Sequence, residues 1–258
     1  MPIPHGNVAC LLLLAVCCAS PPKVHAEDLN VAVAANFLGT LQKLAPMYQQ
    51  KSGDHLVPSA GSSGQLYTQI KQGAPFDVFL SADSDRPAYL ESEGLGVAGS
   101  RFTYAIGTVV LWSPKPNLVD RDGKLLSSGS YRMVSIANPS TAPYGAAAQQ
   151  VLLALHLWGS LNNARKIAVG ENIDQAWTFA ASGAADLGFV ALSEVMHDGA
   201  ISGSYWIPPQ SMYKPIDQDA VLLKRSSKGA SAQKFLDWLR HDPQAAAVIK
   251  AAGYRVSP

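Results

Sequence analysis

The stretch VPSAGSSGQLYTQIKQGAPFDVFLSAD, residues 57–83, constrains this chain most. It predicts a strand end, a Gly/Ser turn, a short helix over 65–72, a Gly73-Ala74-Pro75 stop and a buried strand over 76–81. The turn Gly61-Ser62-Ser63-Gly64 sets backbone N–H groups and two hydroxyls at a helix start, without a basic residue. Such a turn suits a small anion, and equally an ordinary N-cap in which the serine serves only its own backbone.

The same β-α alternation extends in both directions. Residues 29–35, LNVAVAA, read as a strand buried on both faces and run into Asn36-Phe37 and a helix closed by Ser52-Gly53, with Pro46 predicting a kink. A strand near 55–59 and a helix over 86–93 complete a β-α-β-α-β-α series, the mark of a parallel sheet covered by helices. Residues 102–113 read as one long strand. A second series follows: strands at 133–137, 166–169 and 187–190, loops at 138–145 and 170–173, and helices at 146–157, 174–182 and 192–196. Strands near 206–209 and 219–223 and helices over 230–241 and 243–252 close the chain.

The expected fold is therefore α/β with two lobes, each a mainly parallel sheet flanked by helices. Lobe one takes 27–107 plus 215–258, lobe two takes 108–214, and the ligand sits in the cleft at the carboxyl ends of strands. A monomer is the default for such a chain.

Composition removes several function classes. Charged residues are 15% and hydrophobic ones 48% of the 258 residues, which describes a globular chain. A net charge of +1 argues against nucleic acid as partner, because phosphate-backbone binding needs a basic surface. Residues 8–19, VACLLLLAVCCA, followed by Val24-His25-Ala26, form the apolar run and small-x-small site of an export signal, giving residues 1–26 as a removed segment. Cys10, Cys17 and Cys18 all fall inside it, so disulfides, thiolate metal sites and cysteine catalysis leave the mature chain together. The expected location is an exported compartment, the periplasm.

Four strand-to-helix junctions share one chemistry: Ala35-Asn36, Ser62-Ser63, Pro143-Tyr144-Gly145 and Asn172-Ile173. Each offers backbone N–H groups at a helix start, and Asn36, Ser63 and Tyr144 are expected to add neutral side-chain donors. None contains Lys or Arg. If they converge, they hold an anion by dipoles alone. Glu171 and Asp174 are near in sequence, but each also suits a first-turn carboxylate favoured by the helix dipole. A fully ionised tetrahedral dianion then fits better than hydrogen phosphate.

The stretches VAVAANF, SAGSSGQLYTQIKQGAPFDVFLSAD, ANPSTAPYGAAAQQ, VGENIDQAW and ADLGFVALSEV resemble the periplasmic molybdate-binding proteins of ABC importers, over nearly the whole mature chain. The resemblance implies a type II periplasmic binding protein fold. It also implies a ligand of molybdate or tungstate, no cofactor, and delivery to an inner-membrane ABC permease. It carries the oxyanion contacts to Asn36, Ser63, Tyr144 and Ile173, the last through its backbone N–H, with Ala35 and Ser62 as additional candidates. The metal would arrive wrapped in its own oxygens, so no side chain coordinates it directly. One branch of the family has a ligand tyrosine where this chain has Ala191; the PYG loop with Tyr144 is similar to the other branch.

Two alternative functions share parts of this pattern. A binder of sulfate or another tetrahedral oxyanion would use the same junctions, since sequence does not set cavity radius. An exported hydrolase would need a nucleophile with a base. The turn at 61–64 lacks the G-x-S-x-G order, and His55, His156, His197 and His241 have no paired spacing.

Overall fold

In the computed structural model, residues 1–2 and 26–256 are described; the export-signal segment with its three cysteines lies almost wholly outside them. The chain runs β1 (Asp28–Ala34), α1 (Leu38–Ser52), β2 (His55–Gly61), α2 (Ser63–Lys71), β3 (Val78–Leu80), α3 (Asp85–Ser92) and β4 (Phe102–Gly107). It continues as β5 (Val109–Ser113), α4 (Lys124–Ser128), β6 (Val134–Ala137), α5 (Pro143–Ala154), α6 (Trp158–Asn163), β7 (Ile167–Gly170), α7 (Ile173–Ala181), β8 (Leu187–Ala191) and α8 (Leu192–Val195). The last part holds β9 (Met196–His197), β10 (Ala200–Ile201), β11 (Ser204–Trp206), β12 (Ile216–Leu222), α9 (Gly229–His241) and α10 (Pro243–Ala251).

Two five-stranded sheets result, in the orders β2-β1-β3-β12-β4 and β11-β5-β8-β6-β7. In the first, β1 is parallel to β2 and β3, while β12 is antiparallel to both β3 and β4. In the second, β6 is parallel to β7 and β8, while β5 is antiparallel to both β8 and β11. The one reversed strand in each sheet is the strand that arrives from the other sheet. The two lobes are thus joined where the chain changes direction, through Thr108 and through the segment 207–215.

Burial explains why these runs became strands and helices. Leu29, Val31 and Val33 of β1 are fully buried on one face and Ala32 on the other, as expected of a central strand covered on both sides. Helix α9 buries Ala232, Phe235, Leu236 and Leu239, spaced as one helical face, against the core of the first sheet. There Phe235 meets Tyr48 of α1 edge to face, with ring centroids 5.1 Å apart. Each such side chain contributes roughly 1.5–3 kcal/mol by leaving water.

Four local expectations change. Helix α2 starts at Ser63 and α5 at Pro143, earlier than the apolar periodicity indicated. Proline is well suited to the first helical position, where its missing N–H would be unpaired anyway. The run 102–113 is two strands in different sheets, because β4 pairs with β12 and β5 with β8 and β11. Helix α1 continues through Pro46. The short helices α4 and α6 were not expected.

Asp186 fastens the second sheet. It precedes β8, and its carboxylate accepts from the Arg132 backbone N–H at 2.8 Å, from Arg132 Nη2 at 2.9 Å and from Lys115 Nζ at 3.3 Å. The Arg132 hydrogen bonds hold this carboxyl far below the ordinary aspartate range. A depressed folded-state pKa contributes stability above the unfolded value, lost as pH falls through the folded one. Asp186→Asn should therefore lower stability at pH 7 by about 1–3 kcal/mol, and denaturant titrations should show the difference shrinking once pH drops below about 4.

Candidate functional site

The strands β1, β2, β6 and β7 end on one side of the molecule, and the turns that follow them face each other across the two sheets. Ala35, Asn36, Ser62, Ser63, Tyr144 and Ile173 all line one tight cavity there, of ≈ 10 Å³. Ordinary organic ligands occupy pockets of about 300–1,000 Å³, so a space this tight excludes them. No charged side chain is among its lining residues, which are completed by Ala34, Gly61, Ala82, Ala142, Pro143 and Asn172.

Ser63 and Tyr144 are poised as donors. Ser63 is fully buried, and its Oγ accepts the Ala82 N–H at 2.9 Å. Its own proton has no acceptor among the described residues. Tyr144 is buried likewise, and its Oη accepts from Gln218 Nε2 at 3.2 Å, again leaving its proton without a protein acceptor. Burial pushes the phenol well above its usual pKa, which keeps it a neutral donor. Backbone N–H groups add to these. Ser63 and Ile173 are the first residues of α2 and α7, and Tyr144 the second of α5, positions that lack an intrahelical acceptor.

The other three residues play different parts from those expected or none through their side chains. Asn36 was expected to add a side-chain donor. Instead its Nδ2 donates to Gln218 Oε1 at 2.9 Å and to Tyr254 Oη at 3.1 Å, so both side-chain N–H groups are engaged, and what the 35–37 turn has left to offer the site is backbone at a helix start. A buried amide takes the buried acceptors within reach. Ser62 is spent as an N-cap: its Oγ donates to Gln65 Oε1 at 2.9 Å and accepts the Gln65 N–H, closing a capping box. Ala35 offers backbone only. Glu171 and Asp174 are exposed and do not line the cavity; Asp174 lies in the first turn of α7, and Glu171 precedes its N-cap Asn172. Ala191 caps α8 and is buried.

The lobes touch around this cavity. Gly64 N–H donates to the Thr141 carbonyl at 2.8 Å, Ser193 Oγ to the Asn36 carbonyl at 3.1 Å, and Arg86 Nη2 to the Ser140 carbonyl at 3.4 Å. Arg86 is ion-paired with Asp83. The arrangement can hold an anion by several neutral hydrogen bonds, each worth about 1.5–3 kcal/mol to a charged partner, and it presents no carboxylate to a protonated ligand oxygen. Sequence reasoning missed Ala82, whose N–H orients Ser63, and the buried trio Gln218, Tyr104 and Tyr254 behind the site. Their only sequence signal was polar or aromatic residues inside apolar runs.

A family model for bacterial extracellular solute-binding proteins matches residues 29–255. The chain belongs to that family. Among similar solute-binding proteins, the molybdate-binding protein ModA of Azotobacter vinelandii is 48% identical over 230 residues, 89% of this chain and 90% of its own length. ModA of Rhodobacter capsulatus is 46% identical over 229 residues, 89% of this chain and 88% of its own. The solved structure of the Azotobacter vinelandii periplasmic molybdate-binding protein matches with a TM-score of 0.87 at 47% identity, covering 89% of this chain and 100% of that one. The two-lobed α/β architecture is thus shared with a solute-binding protein of known structure.

Beside the site, Glu194 of α8 carries a buried carboxyl. Its Oε2 accepts the Ala191 N–H at 3.0 Å, while Oε1 is sealed from water and has no partner among the described residues. Burial pushes this group up to about 8, with Asp174 adding to the rise. A raised folded-state pKa means the folded chain holds a proton that the unfolded chain releases above its ordinary value, so stability falls as pH climbs toward 8. Thermal melts of Glu194→Gln should therefore match the unsubstituted protein at pH 5 and exceed it at pH 8.

Proposed function

We propose that this chain is the extracytoplasmic substrate-binding component of an ABC importer, capturing molybdate, and tungstate with it, for delivery to an inner-membrane permease. The observation that carries the reading is the convergence of four helix starts, with the free protons of Ser63 and Tyr144, on one uncharged cavity. A dianion with four acceptor oxygens matches that donor set, and the molybdate-binding names of the relatives support the choice of ion.

In this reading, Asn36, Ser63, Tyr144 and Ile173 contact the ion, Ile173 and Asn36 through backbone N–H groups and the other two through hydroxyls as well. Ala35 adds main chain, and Ser62 acts through its cap. Lobe one, 27–107 plus 215–258, and lobe two, 108–214, close about the two connections once the export signal 1–26 is removed in the periplasm. The ion binds one lobe's helix starts and draws in the other's, shifting a hinge equilibrium toward the closed form that the permease recognises. The chain acts as a monomer, with no cofactor and no direct side-chain coordination of the metal. Ser63 Oγ is hydrogen-bonded to a backbone N–H and, among the described residues, to no histidine or carboxylate, which supports binding over nucleophilic catalysis.

Isothermal titration of the chain from Glu27 onward with molybdate, tungstate, sulfate and phosphate tests the reading. Strong heats with the first two and little with sulfate are expected; a preference for sulfate would move the chain to another oxyanion. Ser63→Ala should weaken molybdate binding by about 1–3 kcal/mol, and unchanged affinity would remove Ser63 from the site.

Closure has its own test. A Cβ at Gly64 would stand 2.9 Å from Thr141 Cα across the cleft. Gly64→Ala should hold the lobes apart, lowering apparent affinity roughly tenfold or more as the competent fraction falls. Small-angle scattering with saturating molybdate would then report a larger radius of gyration than for the unsubstituted protein.

A further inference from the structure

Behind the cavity a buried hydrogen-bond network crosses between the lobes, and Gln218 of β12 is its centre. Gln218 is fully buried on the first sheet. Its Oε1 accepts from Asn36 Nδ2 at 2.9 Å and lies 3.2 Å from Tyr104 Oη, and its Nε2 donates to Tyr144 Oη at 3.2 Å. Tyr104 divides its single proton between that oxygen and the Ser81 carbonyl at 3.0 Å.

The direction of every bond along one path of this network follows from its start. Tyr254 Oη lies 2.6 Å from the Asn36 carbonyl, which has no proton to give, and 2.8 Å from Ser193 Oγ, which itself donates to that carbonyl, so the single Tyr254 proton is spent on this side. Its oxygen is then an acceptor toward the Asn36 side chain, which must present Nδ2 at 3.1 Å. The second Nδ2 proton meets Gln218, which must present Oε1, and that leaves Nε2 for Tyr144. Tyr144 Oη therefore accepts from the protein and keeps its own proton free. Gly107 makes the meeting possible: a Cβ there would stand 2.8 Å from Gln218 Nε2 and 2.8 Å from Tyr144 Cζ.

We propose that Gln218 is a positioning residue that fixes the Tyr144 hydroxyl as a donor to the bound oxyanion, and so biases the site toward ligand oxygens that carry no proton. The inference rests on the oxyanion reading above. Gln218 does not touch the ion; it sets the hydrogen-bond polarity of a residue that does. A site with the opposite polarity would present Tyr144 as an acceptor and favour a protonated ligand.

The test is a double-mutant cycle on molybdate affinity with Tyr144→Phe, Gln218→Glu and the double variant, at pH 8 and pH 5.5. In the unsubstituted background, Tyr144→Phe should weaken binding about tenfold or more, as expected for losing a hydrogen bond to a charged partner. In the Gln218→Glu background at pH 8, an ionised carboxylate oxygen faces Tyr144 Oη and accepts its hydrogen bond, so Tyr144→Phe should change affinity less than about twofold. At pH 5.5 the buried carboxyl is protonated, donates to Tyr144 as the amide did, and the tenfold effect of Tyr144→Phe should return. A simple repulsion between carboxylate and ion would lower affinity equally with tyrosine or phenylalanine present, leaving the Tyr144→Phe factor the same in both backgrounds and overturning the proposal. Should Gln218→Glu fail to fold, Gln218→Met replaces it; the Tyr144→Phe factor should fall there too, and a full tenfold factor would overturn the proposal. If the unsubstituted protein itself gives no heat with molybdate, the functional reading fails and this inference with it. Binding with additive losses defeats this inference alone.

Discussion

Holding a doubly charged ion without a single cationic side chain requires several donors whose protons are already aimed, and the rest of this structure serves that requirement. A lysine would supply attraction from many positions, whereas a hydroxyl or a backbone N–H acts only along its bond. Each donor must therefore be fixed by something that takes its lone pair or its chain position. Ser63 is fixed by the Ala82 N–H, Tyr144 by Gln218, and the backbone groups by membership of a helix first turn. The helix dipoles add about 0.3–1 kcal/mol each at that end, smaller than the hydrogen bonds but pointing the same way.

The sheet topology places those first turns in one spot. In both lobes the parallel strands deliver their carboxyl ends, and hence the starts of the following helices, toward the cleft. The single reversed strand in each sheet, β12 or β5, is also the one that carries the chain across. Gln218 sits on β12 immediately after one crossing and Gly107 immediately before the other. The network that sets the polarity of Tyr144 is therefore built beside the two connections between the lobes.

How much of this was legible in sequence depended on distance along the chain. The four junctions were readable because strand, turn and helix start are local, and all six candidate residues line one cavity. Boundaries were less readable: Ser63 and Tyr144 lie inside their helices because capping by Ser62 and the fixed dihedral of Pro143 extend α2 and α5 beyond the apolar period. The split of 102–113 at Thr108 was invisible, since two buried strands in different sheets share one apolar pattern with a single long strand. Asn36 lines the cavity, but the partners of its amide were not readable, because Gln218 and Tyr254 lie 182 and 218 residues away.

That last point bears on what kind of information selectivity is. The motif around Gly61-Ser62-Ser63-Gly64 states that an anion site is present, but the state of charge it accepts is written in which atom of an amide faces which oxygen. That choice propagates from the Asn36 carbonyl through Tyr254, the Asn36 side chain and Gln218 to the Tyr144 hydroxyl. Reversing any one amide along the path would set two donors or two acceptors against each other in a site shut off from water, where an unmet buried polar group costs about 1–3 kcal/mol. The buried network is therefore a single switch position held by a main-chain carbonyl, and a site composed only of neutral groups acquires a preference among charge states from it.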